Sequence, residues 1–148
     1  MSANRRTLDE LLDAARAQIV RLEPVDAHAA AEQGALLIDI RAQVDRKRDG
    51  IVPGSLHIPR TVLEWRLDPD SSWRNPHVDG LDHQIVLMCD HGCSSIFAAA
   101  MLVELGFARA GDVVGGFAAW REAGLPTAPS PPCLRGPDEP AGMRPPDP

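Results

Sequence analysis

Four apolar residues, Ile85-Val-Leu-Met88, run directly into Cys89, and the polar turn Asp90-His91-Gly92-Cys93 separates them from an apolar pattern at helical spacing that runs from Ser94-Ser95 to Leu105. Four residues are too few for a helix, and the absence of polar alternation predicts a strand buried on both faces. The stretch therefore reads as strand, tight loop, helix. A thiol at the carboxyl end of such a strand faces the first backbone N–H groups of the helix, which have no intrahelical partner. The partial positive charge of that helix end favours an anion, and cysteine pKa values in such places fall from about 8.5 to roughly 3.5–7.5. An isolated buried cysteine is more often a small hydrophobe. The strand–loop–helix placement makes Cys89 a candidate nucleophile instead.

The flanking sequence supplies elements of the same kind. Thr7 and Glu10 have capping-box spacing, and Leu8, Leu11, Leu12 and Ala15 form one stripe of an amphipathic helix over 7–17. A short strand is expected at 19–22, a helix over 25–33 closed by Gly34, and a buried strand at 36–40. Residues 42–50 read as a charged loop, 55–58 as a strand after the Pro53-Gly54 turn, and 61–67 as a short helix. An exposed loop over 68–83 leads into the Cys89 strand, and a strand at 112–114 and a helix over 117–123 close the pattern. Strands alternating with helices predict an α/β fold around a mostly parallel sheet of roughly five strands. Active groups in such sheets gather at the carboxyl ends of the strands, where Asp39, Arg41 and Cys89 all fall.

A length of 148 residues fits one domain with a core of ordinary size, and 44% apolar with 24% charged residues is a globular composition. A net charge of −6 argues against a nucleic-acid or anionic-membrane surface, both of which need clustered Lys and Arg. No apolar run follows Arg5-Arg6, so neither a signal peptide nor a spanning helix is expected. Three cysteines, Cys89, Cys93 and Cys133, form no disulfide framework, which points to a reducing cytoplasm. Nine of the fourteen prolines lie at or after Pro126, and a segment so poor in large apolar residues does not offset its ordering entropy. The expected organisation is an N-terminal helical extension over 1–17, a domain over 18–126 and a disordered tail over 127–148.

Cys89-Asp-His-Gly-Cys-Ser94-Ser95 resembles the Cys-Tyr-His-Gly-Asn-Ser-Ser active-site loop of small single-domain bacterial sulfurtransferases of the rhodanese family. Leu36-Leu-Ile-Asp39-Ile-Arg41 resembles that family's Asp-x-Arg strand end. Gly50-Ile-Val-Pro53-Gly54-Ser-Leu-His-Ile-Pro59 resembles its Gly-His-Ile-Pro-Gly-Ala-x-x-Ile-Pro segment, and Gly115-Gly116-Phe-Ala-Ala-Trp120 its closing Gly-Gly-x-x-x-Trp. Four motifs in order, across about residues 18–126, are specific where each alone would be weak. The resemblance implies a three-layer rhodanese-like fold with a central sheet flanked by helices, and a sulfurtransferase that carries sulfane sulfur as a Cys89 persulfide without a cofactor. It implies a small sulfur donor such as thiosulfate or a persulfide, and a thiol or cyanide acceptor, with a sulfur-carrier or persulfide-donor protein as a further partner class.

On that resemblance Asp90, His91, Gly92, Cys93, Ser94 and Ser95 form the active-site loop. Asp39 reads as a structural hydrogen-bond partner, and Arg41 as a ligand either of the anionic substrate or of a structural carboxylate. His91 is a solvated loop residue or handles a proton; Cys93 fills a position that carries asparagine in similar loops, or resolves a disulfide with Cys89. Cys89, His91 and Cys93 lack a fourth ligand and the usual spacing of a zinc site, so no metal is expected. Asp90 places a negative charge beside a site meant for a dianion. Two other readings share the fold: a binding or regulatory module, and a Cdc25-type phosphatase or arsenate reductase. The second needs a longer loop closed by an arginine, and Ser95 stands where that arginine would be.

Overall fold

The hydrophobic run before Cys89 lies at the centre of the molecule. In the computed structural model, which describes residues 4–131, five strands, β1 (Val20–Leu22), β2 (Leu36–Asp39), β3 (Leu56–His57), β4 (Ile85–Met88) and β5 (Ala110–Val113), form one parallel sheet in the order β1-β5-β4-β2-β3. β4 is paired on both edges, Leu37 to Val86 and Ile38 to Leu87 on one side, Val86 to Gly111 and Leu87 to Asp112 on the other. Helices cover both faces, so all four β4 side chains are buried and none needs to be polar.

The pleat divides the core into two layers. Ile85 and Leu87 face α4 (Leu63–Leu67) and α5 (Ser94–Glu104), where they meet Leu63, Leu67, Ala98 and Leu102. Val86 and Met88 face α2 (Pro24–Glu32) and α6 (Gly116–Glu122), where they meet Ala27, Phe117 and Trp120. Each fully buried side chain of this size contributes about 1.5–3 kcal/mol relative to leaving it in water. Cys89 continues the phase of Ile85 and Leu87, and Asp112 that of Ala110, so both point toward α5. α1 (Leu8–Arg16) starts with the expected capping box, Thr7 Oγ1 accepting from the Glu10 N–H and the Glu10 carboxylate from the Thr7 N–H, and packs on α5.

Three segments differ from the sequence expectation. Residues 42–50 are not a loop: Gln43–Asp49 form a helix, α3, with no apolar stripe to announce it. Its inward residue is Arg46, buried, whose Nε donates to Asp39 Oδ2 at 3.2 Å and whose Nη1 donates to Gln43 Oε1 at 2.7 Å. The 68–83 segment lacks helix and strand, but Asn75 and Val78 are buried, and the Asn75 N–H donates to the Arg66 carbonyl at 2.7 Å. Residues 127–131 are placed against the domain: Ile51 and Ala128 exchange both backbone hydrogen bonds, at 2.8 and 2.9 Å, in an antiparallel bridge, and Gln43 Nε2 donates to Ser130 Oγ at 3.1 Å. The rest of the expected disordered tail lies outside the described residues, as does Cys133. Among the described residues no helix is long and apolar enough to cross a membrane.

Candidate active site

Cys89 directly follows β4 and opens a loop that closes at Ser94, the first residue of α5. The loop is short because glycines let it meet another turn backbone to backbone. Gly92 has φ +78°, and a Cβ there would stand 2.5 Å from the Gly115 nitrogen. Gly116, at φ +62°, faces the loop from the other side, and its Cβ would lie 2.3 Å from the Cys89 carbonyl oxygen. That closeness lets α6 hold the loop: the Phe117 N–H donates to the Cys89 carbonyl at 2.8 Å and the Ala118 N–H to the Asp90 carbonyl at 3.0 Å. The Gly-Gly of the closing motif is thus a condition for the shape of the cysteine loop, whose Gly92 lies 23 residues before Gly115.

The sulfur sits in a polar cup, and Cys89 is 6% exposed. The Gly92 N–H points at Sγ from 3.1 Å, and Ser95 Oγ lies 3.3 Å away. Burial pushes the Cys89 thiol up, but the hydroxyl and N–H of Ser95, the hydroxyl of Ser94 and the N–H of Gly92 outweigh it and hold the thiol below its ordinary pKa. His91, Cys93 and Ser94 are exposed, and Cys93 is a free thiol.

Asp39 and Arg41 form the other half of the site's frame. The Asp39 carboxylate, fully buried, accepts from Arg41 Nε at 3.0 Å, from Arg41 Nη2 at 2.9 Å and from Arg46. Arg41 Nη2 also donates to the Gly50 carbonyl at 2.8 Å, and the guanidinium lies 3.9 Å over the Phe117 ring. Arg41 is thus bound to the buried structural carboxylate of Asp39. Its Nη1 has no hydrogen-bond partner and faces Asp90 Oδ1 at 3.7 Å, while Asp90 Oδ2 lies 3.7 Å from Arg48 Nη2. The Asp90 charge is therefore compensated by two arginines rather than left bare.

Sequence reasoning passed over two residues. Asp112, fully buried on β5, accepts from Ser95 Oγ at 2.7 Å. Arg21, its register partner on β1, donates to it through Nε at 2.9 Å and Nη2 at 3.1 Å, and through Nη2 to the Gly92 carbonyl at 3.0 Å. The signal was present as a carboxylate inside a buried strand, which is costly unless paired. Its partner is 91 residues away, beyond the reach of any local pattern. Among the described residues no cluster of three His, Cys, Asp or Glu is placed to hold a metal ion.

A parallel five-stranded sheet, a cysteine loop gripped by a Gly-Gly turn and an Asp–Arg pair beside it define a class. The family model of the rhodanese-like domain matches residues 23–123, and the chain belongs to that family; its class is that of the rhodanese-type sulfurtransferases. It is 41% identical over 102 residues to a thiosulfate sulfurtransferase of Pseudomonas savastanoi pv. phaseolicola, the match covering 68% of this chain and 86% of that one. Among solved structures, a Rhodopseudomonas palustris protein called of unknown function and a possible tyrosine phosphatase superposes with a TM-score of 0.77 at 32% identity, over 86% of this chain and 98% of its own. A human single-domain sulfurtransferase superposes with a TM-score of 0.58 at 25% identity, over 71% and 96%.

Proposed function

We propose that Cys89 is the residue through which this sulfurtransferase moves sulfane sulfur from thiosulfate or a persulfide to a thiophilic acceptor. With thiosulfate, the Cys89 thiolate attacks the outer sulfur, the S–S bond breaks, and sulfite leaves with the bonding pair. Cys89 is left as a persulfide. Cyanide, a thiol or a protein cysteine then attacks its outer sulfur, and the Cys89 thiolate is regained, a ping-pong cycle. The observation that carries the reading is the polar cup round the sulfur, with the Gly92 N–H donating from 3.1 Å, Ser95 Oγ at 3.3 Å and the thiol held low. Loop N–H groups and the Ser94 and Ser95 hydroxyls suit the single negative charge of a persulfide. No metal or organic cofactor enters the cycle. Thiosulfate as donor is supported by the names of the relatives, and the free Cys89 and Cys93 thiols fit a reducing cytoplasm.

The test is a mass measurement. Incubation with thiosulfate adds the mass of one sulfur atom to wild type and nothing to Cys89→Ser, and cyanide removes the addition. A persulfide retained by Cys89→Ser would sink the assignment.

A further inference from the structure

The Ser95 hydroxyl has one proton and two claimants. Its oxygen lies 2.7 Å from Asp112 Oδ2 and 3.3 Å from Cys89 Sγ. The shorter distance is that of a hydroxyl donating to a carboxylate, so with a neutral thiol the proton lies toward Asp112 and the Ser95 oxygen turns a lone pair to the Cys89 S–H. Once the sulfur is an anion, that lone pair faces a second one. The arrangement is relieved only if the hydroxyl turns and donates to sulfur.

Arg21 makes that turn affordable. It donates to both Asp112 oxygens, so the carboxylate, buried at 0% side-chain exposure, keeps a charged partner on each when the Ser95 proton leaves. Through the Gly92 carbonyl the same guanidinium is tied to the loop whose N–H faces the sulfur. We propose that Arg21 and Asp112 are positioning residues for sulfur transfer: Asp112 holds the Ser95 hydroxyl while Cys89 is a thiol, and Arg21 stabilises Asp112 when the hydroxyl swings to the thiolate or persulfide. The proposal rests on Cys89 as the sulfur carrier.

The charges around Cys89 leave this pair as the controlling one. β5 contributes Asp112 and β1 contributes Arg21. In the loop, Asp90 is set against Arg41 from the end of β2 and Arg48 from α3, and His91 and Cys93 are exposed. α5 offers only the hydroxyls of Ser94 and Ser95, and Arg121 of α6 lies beyond the Phe117 ring, 5.9 Å from its centre.

The test reads the thiol itself. In the full chain carrying Cys93→Ser and Cys133→Ser, the rate of iodoacetamide alkylation against pH reports the Cys89 pKa. Arg21→Met raises it and Asp112→Asn lowers it, each by about one unit, or tenfold in thiolate below the pKa. Ser95→Ala removes the rotor, so Asp112→Asn made on that background shifts the pKa by less than half as much. Arg21→Lys, which keeps the charge but loses the two-pronged contact, gives a smaller rise in the same direction and serves if Arg21→Met does not fold. Unmoved pKa values in the Arg21 and Asp112 variants, or an Asp112→Asn shift undiminished by Ser95→Ala, would overturn the proposal. Alkylation needs no sulfur donor, so this outcome is independent of the persulfide measurement.

Discussion

Arg41 grips Asp39 with two parallel bonds, Nε to Oδ1 at 3.0 Å and Nη2 to Oδ2 at 2.9 Å, and both side chains are sealed from water, at 1% and 0% exposure. An ion pair this deep costs desolvation to form, and breaking one typically costs about 3–5 kcal/mol; without Arg41 the buried Asp39 carboxylate is left to Arg46 as its one charged partner among the described residues. Arg41→Met is therefore expected to lower folding stability by up to that order in urea unfolding, and Arg41→Met/Asp39→Leu is expected not to recover the loss, because buried Arg46 then loses its carboxylate as well. If Arg41 served substrate alone, Arg41→Met would cut activity while leaving the unfolding midpoint in place.

The same pair explains what the sequence made legible and what it hid. β4, α5 and the Cys89 loop were readable because their signals are local: an unalternated apolar run, a helical period and glycines at a turn. α3 was missed because it buries an arginine instead of an apolar stripe; Arg46 is held by Asp39, and no periodicity records that. Asp112 was read as the start of the last strand, since Arg21 and Ser95, the residues that make its burial tolerable, are 91 and 17 positions away. Residues 127–131 looked unstructured by composition, yet backbone bonds to Ile51 need no particular side chain.

Asp90 bears on donor choice. Its carboxylate faces the buried Arg41 Nη1 and the exposed Arg48 Nη2, each at 3.7 Å, at the edge of the cysteine loop. Asp90→Asn frees both for a dianionic donor, so kcat/KM for thiosulfate should rise, and added salt should shrink the gain because Arg48 is solvent-exposed. Arg48→Ala should act in the opposite sense. Steady-state kinetics at low and high salt check this, and equal kcat/KM in wild type and Asp90→Asn would place the arginines outside the donor's reach.

His57 gives the fold an acid limit. Its Nε2 lies 2.8 Å from the Arg41 carbonyl oxygen. Burial lowers its pKa most, the carbonyl and Asp39 pull the other way, Arg46 and Arg41 repel a proton, and the net direction is below the ordinary 6.5. The unfolded chain thus binds a proton that the folded one refuses. Stability contributed by the neutral ring is complete above the unfolded pKa and is lost as pH falls through about 6.5 toward the folded value. Unfolding midpoints measured between about pH 7.5 and 5 should fall in wild type, and His57→Gln should flatten that slope. An equal slope in the variant would assign the acid limit to other groups.

The possible tyrosine phosphatase activity in the name of the Rhodopseudomonas palustris structure makes phosphate the competing substrate to test. A phosphoryl group transferred to cysteine needs donors following its equatorial oxygens, and loss of one such donor typically costs about 100–1,000-fold in kcat. Here the position where an arginine would close the loop is Ser95, fully buried and bonded to the Asp112 carboxylate, so the group behind the sulfur is an anion rather than a cation. Arg21 does not make up the difference, because its fork is spent on Asp112 and the Gly92 carbonyl. A persulfide carries one charge on one atom, which the Gly92 N–H and a turned Ser95 hydroxyl can meet. The expected result is transfer of sulfur to cyanide well above background, with no hydrolysis of aryl phosphates by the same preparation. Aryl phosphate turnover that disappears in Cys89→Ser would overturn the sulfur-transfer reading and leave the family and the fold as they stand.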